Sequence, residues 1–104
     1  MQVLINSNNS IRMSEALQQR CAATVEGALQ RFSEQLTRVE VHLTDENGEK
    51  SGAQDKRCQI EARIKARDPV SASHKADTLE IALGGAADKL ERVLETTLGK
   101  LQRT

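Results

Sequence analysis

The sequence predicts an α+β fold of order β-α-β-β-β-α, a four-stranded sheet with two parallel helices packed on one face. Two stretches carry apolar residues every three or four positions, the spacing of helices buried along one side. Two others alternate apolar and polar residues one by one, as strands buried on one face do. The chain has 104 residues, the span of one domain, predicted to cover residues 1–104.

The opening strand is read over residues 1–6, with Met1, Val3 and Ile5 on one face, and it is ended by the polar run Asn6 to Ser10. Ser14 offers an N-cap oxygen and Glu15 suits the positive end of a helix dipole. Leu17, Cys21, Val25, Ala28, Leu29, Phe32 and Leu36 then form one stripe, so the first helix is expected to end near Leu36 or Thr37.

Val39, Val41 and Leu43 alternate with Arg38, Glu40, His42 and Thr44, which predicts the second strand. Asp45-Glu46-Asn47-Gly48 carries hairpin chemistry, and the polar residues through Asp55 predict a longer, mobile loop. Cys58, Ile60, Ala62, Ile64 and Ala66 face inward in the third strand, opposite Arg57, Gln59, Glu61, Arg63 and Lys65, and this strand is expected to pair antiparallel with the second. After Asp68-Pro69, Val70, Ala72 and His74 read as a short edge strand.

Asp77 and Glu80 resemble a capping box that opens a helix running to the carboxyl end, with Leu79, Leu83, Ala86, Ala87, Leu90, Leu94, Leu98 and Leu101 inside. Gly84-Gly85 within it marks either local weakness or close approach of a neighbouring element.

Composition narrows the functions. Phe32 is the only aromatic, which excludes stacking platforms for bases. Fifteen basic residues balance fifteen acidic ones, so attraction to nucleic acid must come from segregated charge. No apolar run is long enough to cross a bilayer and no leader opens the chain, which predicts a cytoplasmic protein without membrane association. Cys21 and Cys58 fall on inward faces and read as small hydrophobes; with His42 and His74 they match no zinc spacing. No paired acids, activated nucleophile or phosphate-cradling loop appears. The expectation is therefore no enzyme, no metal, no cofactor and no small-molecule substrate.

Charge segregation is found on the last helix. At about 100° per residue, Lys89, Arg92, Thr96, Lys100 and Arg103 share an arc of roughly 80°, with Asp88, Glu91 and Glu95 outside it. Such a stripe reads as a phosphate-binding flank or as a solvated helix face. Arg20 and Arg31 form a weaker stripe on the first helix. Lys56, Arg57, Arg63 and Lys65 read as an additional contact or as an ordinary solvated sheet face.

Met1-Gln2-Val3, Asn8-Asn9 and Ser14-Glu15-Ala16-Leu17 resemble the opening of the short ribosome hibernation factors, the hibernation promoting factor and ribosome-associated inhibitor A family. Asp88-Lys89-Leu90-Glu91-Arg92-Val93-Leu94 is similar to that family's second-helix motif, and the order of elements agrees over the whole chain. The resemblance implies a β-α-β-β-β-α domain that sits in the small ribosomal subunit and silences translation without catalysis. Lys89 and Arg92 would contact ribosomal RNA, joined by Lys100, Arg103, Arg20 and Arg31 on the same helical flanks. The partner would be the small subunit, and the protein a monomer or weak homodimer. Family members usually carry Lys or Arg where this chain has Gln18, Thr24, Gly27 and Thr96, and a tyrosine where it has Glu80. The alternative is a divergent member without strong ribosome binding, acting as a protein-interaction or oligomeric stress module.

Overall fold

The computed structural model describes residues 1–8, 11–46 and 55–102, the last three by backbone only. Its elements are β1 (Gln2–Ser7), α1 (Glu15–Leu29), β2 (Leu36–Asp45), β3 (Lys56–Ile64), β4 (Val70–Ala76) and α2 (Leu79–Gln102). The strands lie in the order β1-β2-β3-β4, with β1 and β2 parallel and the other two pairs antiparallel. Val39, Val41, Leu43, Cys58, Ile60, Ala62 and Ile64 form one buried sheet face. They belong to a single core with Cys21, Val25 and Leu29 of α1 and Leu83, Leu90, Leu94 and Leu98 of α2, so both helices cover the same side.

Local chemistry explains most boundaries. Ser14 caps α1, its Oγ accepting from the Leu17 amide at 3.0 Å. At α2 the cap is Thr78, whose Oγ1 accepts from Ile81 N–H at 3.1 Å, rather than the expected Asp77. α1 stops at Leu29, short of the expected Leu36, and a 3-10 turn over Gln30–Phe32 buries Phe32. Leu36 opens β2 instead and reaches the core from there. A helical and a strand residue can occupy the same layer, so the apolar stripe alone did not locate the switch. β4 runs on to Ala76, beyond His74. The expected mobile loop falls on residues 47–54, which lie outside the described residues, as do Asn9 and Ser10.

The β2–β3 connection is anchored where it enters and leaves the sheet. Glu46 N–H donates to the Asp55 carbonyl at 2.8 Å. Lys56 Nζ meets Asp55 Oδ2 at 3.0 Å and Asp45 Oδ2 at 3.3 Å, with both aspartates buried. The hydrogen bond to Asp55, followed by the pairing with Asp45, holds the Lys56 ammonium above its ordinary value. Removing either carboxylate would leave the other charges of this cluster poorly matched in a desolvated site.

Two backbone positions carry constraints. Ala66, expected to continue the inner face of β3, instead sits exposed in the β3–β4 turn with φ 60°, a left-handed conformation. Lys65 N–H donates to the Gln35 carbonyl and Arg67 N–H to that of Ile64, which ends the strand before Asp68-Pro69. Gly85 is a point of close approach: a methyl group added there would land on the imidazole of His74 in β4, whereas Gly84 faces open space.

Replacing Gly84 by Ala is expected to raise stability by up to about 1 kcal/mol through helix propensity. The same change at Gly85 should lower it, and should become stabilising in a His74→Ala background; urea denaturation of the set checks this. Ala66→Gly is expected to stabilise the fold by about 0.5–1 kcal/mol, because the left-handed backbone penalises Cβ more than glycine's extra freedom costs. A lower thermal midpoint would contradict it.

Candidate nucleic-acid interface

α1 follows β1, and α2 follows β4, which runs in the same direction, so the two helices lie parallel. Their ion pairs show it directly. Arg20 meets Glu80 at 3.6 Å, and eleven positions later in each segment Arg31, in the 3-10 turn that follows α1, meets Glu91 at 3.7 Å. Arg31 also reaches Glu95 at 3.4 Å and lies over the Phe32 ring, 4.6 Å from its centroid. The acidic flank of α2 thus faces α1, and the cations of α1 are spent on it. These pairs are solvent-exposed and contribute little to stability, but they offset the positive potential that Arg20 and Arg31 would otherwise offer a phosphate.

The opposite flank of α2 turns toward the edge strand β4. Lys89 is exposed and donates from Nζ to the Ser73 carbonyl at 3.2 Å, and no carboxylate pairs with it among the described residues. Arg92 is exposed and forms no ion pair among the described residues. The Lys100 side chain and all of Arg103 lie outside the described residues, so the structure brings together Lys89 and Arg92 of the expected stripe. Thr96, between them and Lys100, is exposed as well.

On the open sheet face, cations and carboxylates are interleaved. Arg63 contacts Glu40 and Glu61 at 3.9 and 3.7 Å, and Arg38 contacts Glu40 at 3.9 Å. Lys75 meets Glu46 at 3.1 Å, and Lys56 belongs to the buried cluster described above. Arg57 stands beside Lys75 in the β3–β4 register without an ion pair among the described residues. Lys65 and Arg67, in the β3–β4 turn, are exposed and likewise unpaired. Sequence reading placed Lys65 in a strand and passed over Arg67. The Asp68-Pro69 pair, which requires the strand to end before it, was the available signal.

An open groove of about 340 Å³ lies between the helices, bordered by Leu17, Arg20, Thr24, Glu80 and Leu83, with Cys21 at its wall. Both thiols are buried. Burial pushes Cys21 up, the Arg20 charge opposing and that of Glu80 adding to the shift. Cys58 rises from 9.0 to about 12, mainly by desolvation, with Cys21 nearby contributing. Neither has the stabilised thiolate that nucleophilic or metal chemistry requires. Among the described residues no three His, Cys, Asp or Glu gather into a metal-holding group. No described helix is long and apolar enough to cross a membrane. Between pH 9 and about 12 the unfolded chain releases the Cys58 proton while the folded chain keeps it, so stability falls as pH rises through that window. The expected slope is up to roughly 1.4 kcal/mol per pH unit, measured as the difference between the parent and Cys58→Ala in urea denaturation.

Residues 4–102 match the family described as sigma 54 modulation protein / S30EA ribosomal protein. Among solved structures, a ribosomal subunit interface protein from Coxiella burnetii superposes with a TM-score of 0.74 at 14% identity, over 95% of this chain and 99% of that one. The N-terminal domain of Thermus thermophilus Protein Y superposes with a TM-score of 0.73 at 15% identity, over 93% and 99% respectively. No curated protein matches the chain in sequence. The solved structures share the fold, and the family match spans nearly every element from β1 to α2: the chain belongs to the sigma 54 modulation protein / S30EA ribosomal protein family.

Proposed function

We propose that the protein is a non-catalytic, ribosome-associated regulator: a single hibernation-factor-like domain over residues 1–104 that binds ribosomal RNA of the small subunit and restrains translation under stress. Family membership and the likeness to a ribosomal subunit interface protein support the ribosome as partner. The observation that carries the RNA reading is the flank of α2 at the β4 edge, where Lys89 and Arg92 stand exposed and form no ion pair among the described residues. Lys100 and Arg103 follow on the same helical arc in the sequence. Exposed cations on one flank suit phosphates, because each neutralised phosphate releases condensed counterions. Arg20 and Arg31 assist only by exchanging Glu80, Glu91 and Glu95 for phosphates.

Co-sedimentation with purified small subunits across a salt series tests this. Four contacts to single-stranded RNA give an expected log–log slope of about −3. The Lys89→Glu/Arg92→Glu protein should bind much more weakly while its folding stability stays within about 0.5 kcal/mol of the parent, as exposed substitutions do. Absence of salt-sensitive association by the unaltered protein would favour the protein-interaction reading.

A further inference from the structure

We propose that the β3–β4 turn is a second arm of this interface, with Lys65 and Arg67 holding phosphates of the same small-subunit RNA that the α2 flank engages. The inference rests on the RNA reading above and extends it to residues on a different element.

Ion pairing divides the described cations into opposed and unopposed ones. On α1, in the 3-10 turn after it and on the open sheet, Arg20, Arg31, Arg38, Arg63 and Lys75 are each opposed by a carboxylate. Arg12, Arg57, Lys65, Arg67, Lys89 and Arg92 are not, among the described residues; Arg12 and Arg57 stand apart from the rest, while α2 leads from Lys89 through Arg92 toward the end of the sheet where the turn carrying Lys65 and Arg67 lies. α2 runs back along β4: Gly85 lies against His74, and Lys89 reaches Ser73. Beyond Lys89, the helix carries Arg92 about 4.5 Å further in that direction and Thr96 about 10 Å further. From Ser73 back to Val70, the first residue of β4, the strand covers about 10 Å. The turn that holds Lys65 and Arg67 begins there, level with the stretch of α2 that follows Arg92. The nearest carboxylates in sequence and along the backbone contacts are Asp68 and Glu34, beside Gln35 whose carbonyl accepts from Lys65, and neither pairs with the two cations.

The backbone supplies an independent observation. Ala66, between the two cations, is held in the left-handed region although it is exposed and not a glycine. Core packing does not require a side chain there. The hydrogen bonds from Lys65 N–H to Gln35 and from Arg67 N–H to Ile64 hold the turn in this shape, so the backbone positions of the two cations are set. A cationic turn of set shape beside a cationic helix flank suits a folded RNA backbone, which presents phosphates to both at once.

The test compares two double neutralisations that change net charge equally. In binding to purified small subunits at about 0.1 M salt, loss of two phosphate contacts from Lys65→Gln/Arg67→Gln should weaken affinity about 25-fold and flatten the salt slope by about 1.4. Arg38→Gln/Arg63→Gln, whose charges are already opposed by Glu40 and Glu61, should stay within about threefold. Thermal melts confirm that each variant is folded. Equal losses from the two variants would show a diffuse field and overturn the inference. So would an unchanged affinity for the turn variant alongside a clear loss for Lys89→Glu/Arg92→Glu, an outcome that leaves the ribosomal reading standing. If the Lys89/Arg92 variant also binds like the parent, the ribosomal reading itself fails and this inference falls with it.

Discussion

The inner face of β2 and β3 is a continuous apolar surface, fully removed from water at Val39, Val41, Cys58, Ile60 and Ala62, and it must be covered by a chain that owns one aromatic ring. Coverage therefore comes from many small contacts instead of a few large ones. Leu90 and Leu94 of α2 and Val25 and Leu29 of α1 supply the volume, and Ala82, Ala86 and Ala87 let α2 lie close to the sheet. Apolar burial is worth about 25 cal/mol per Å², so a core of aliphatic residues suffices only if it is closely packed. The glycine at 85, filled by the His74 ring, belongs to this requirement: the helix and the edge strand approach until the histidine occupies the space of a missing side chain.

This packing also determines where the charges go. Once the leucine stripe of α2 is turned onto the sheet, its remaining two flanks have no freedom. One flank, with Glu80, Glu91 and Glu95, is turned toward α1 and meets Arg20 and Arg31. The other, with Lys89 and Arg92, is turned toward β4, where Lys89 donates to a backbone carbonyl and neither cation meets a carboxylate among the described residues. A chain with no net charge thereby presents a locally positive edge, and the separation costs little because the helix was amphipathic in three sectors from the start. The open sheet face does the reverse. Its like-charged cross-strand neighbours, Arg38 with Arg63 and Glu40 with Glu61, stand in adjacent rows and neutralise one another along the strands.

This arrangement separates two kinds of basic residue that look alike in a sequence. Arg31 packs on Phe32 and ties α1 to α2, so its guanidinium is part of the scaffold. Lys89 touches the scaffold through an uncharged acceptor and keeps its charge available. Fold likeness at 14–15% identity shows the common architecture, while which cations remain free is a property of this chain's own acids.

Periodicity alone determined the order of elements, the pairing of β2 with β3 and the inward leucines of α2, because a one-residue or one-turn slip would expose an apolar face. It also separated the three sectors of α2, since helix geometry is regular enough to compute from residue numbers. The switch from α1 to β2 was not legible: Phe32 and Leu36 continue the helical stripe, yet only tertiary packing shows that Leu36 reaches the core from a strand. The turn at Ala66 was hidden for the same kind of reason, an alanine in phase with β3 whose left-handed backbone is imposed by hydrogen bonds from Lys65 to Gln35 and from Arg67 to Ile64. Nor could sequence tell that Arg20 and Arg31 would be opposed by acids while Lys89 and Arg92 would meet none among the described residues. That outcome depends on which side of α2 faces α1, and the orientation is decided by how the two parallel helices share one sheet face.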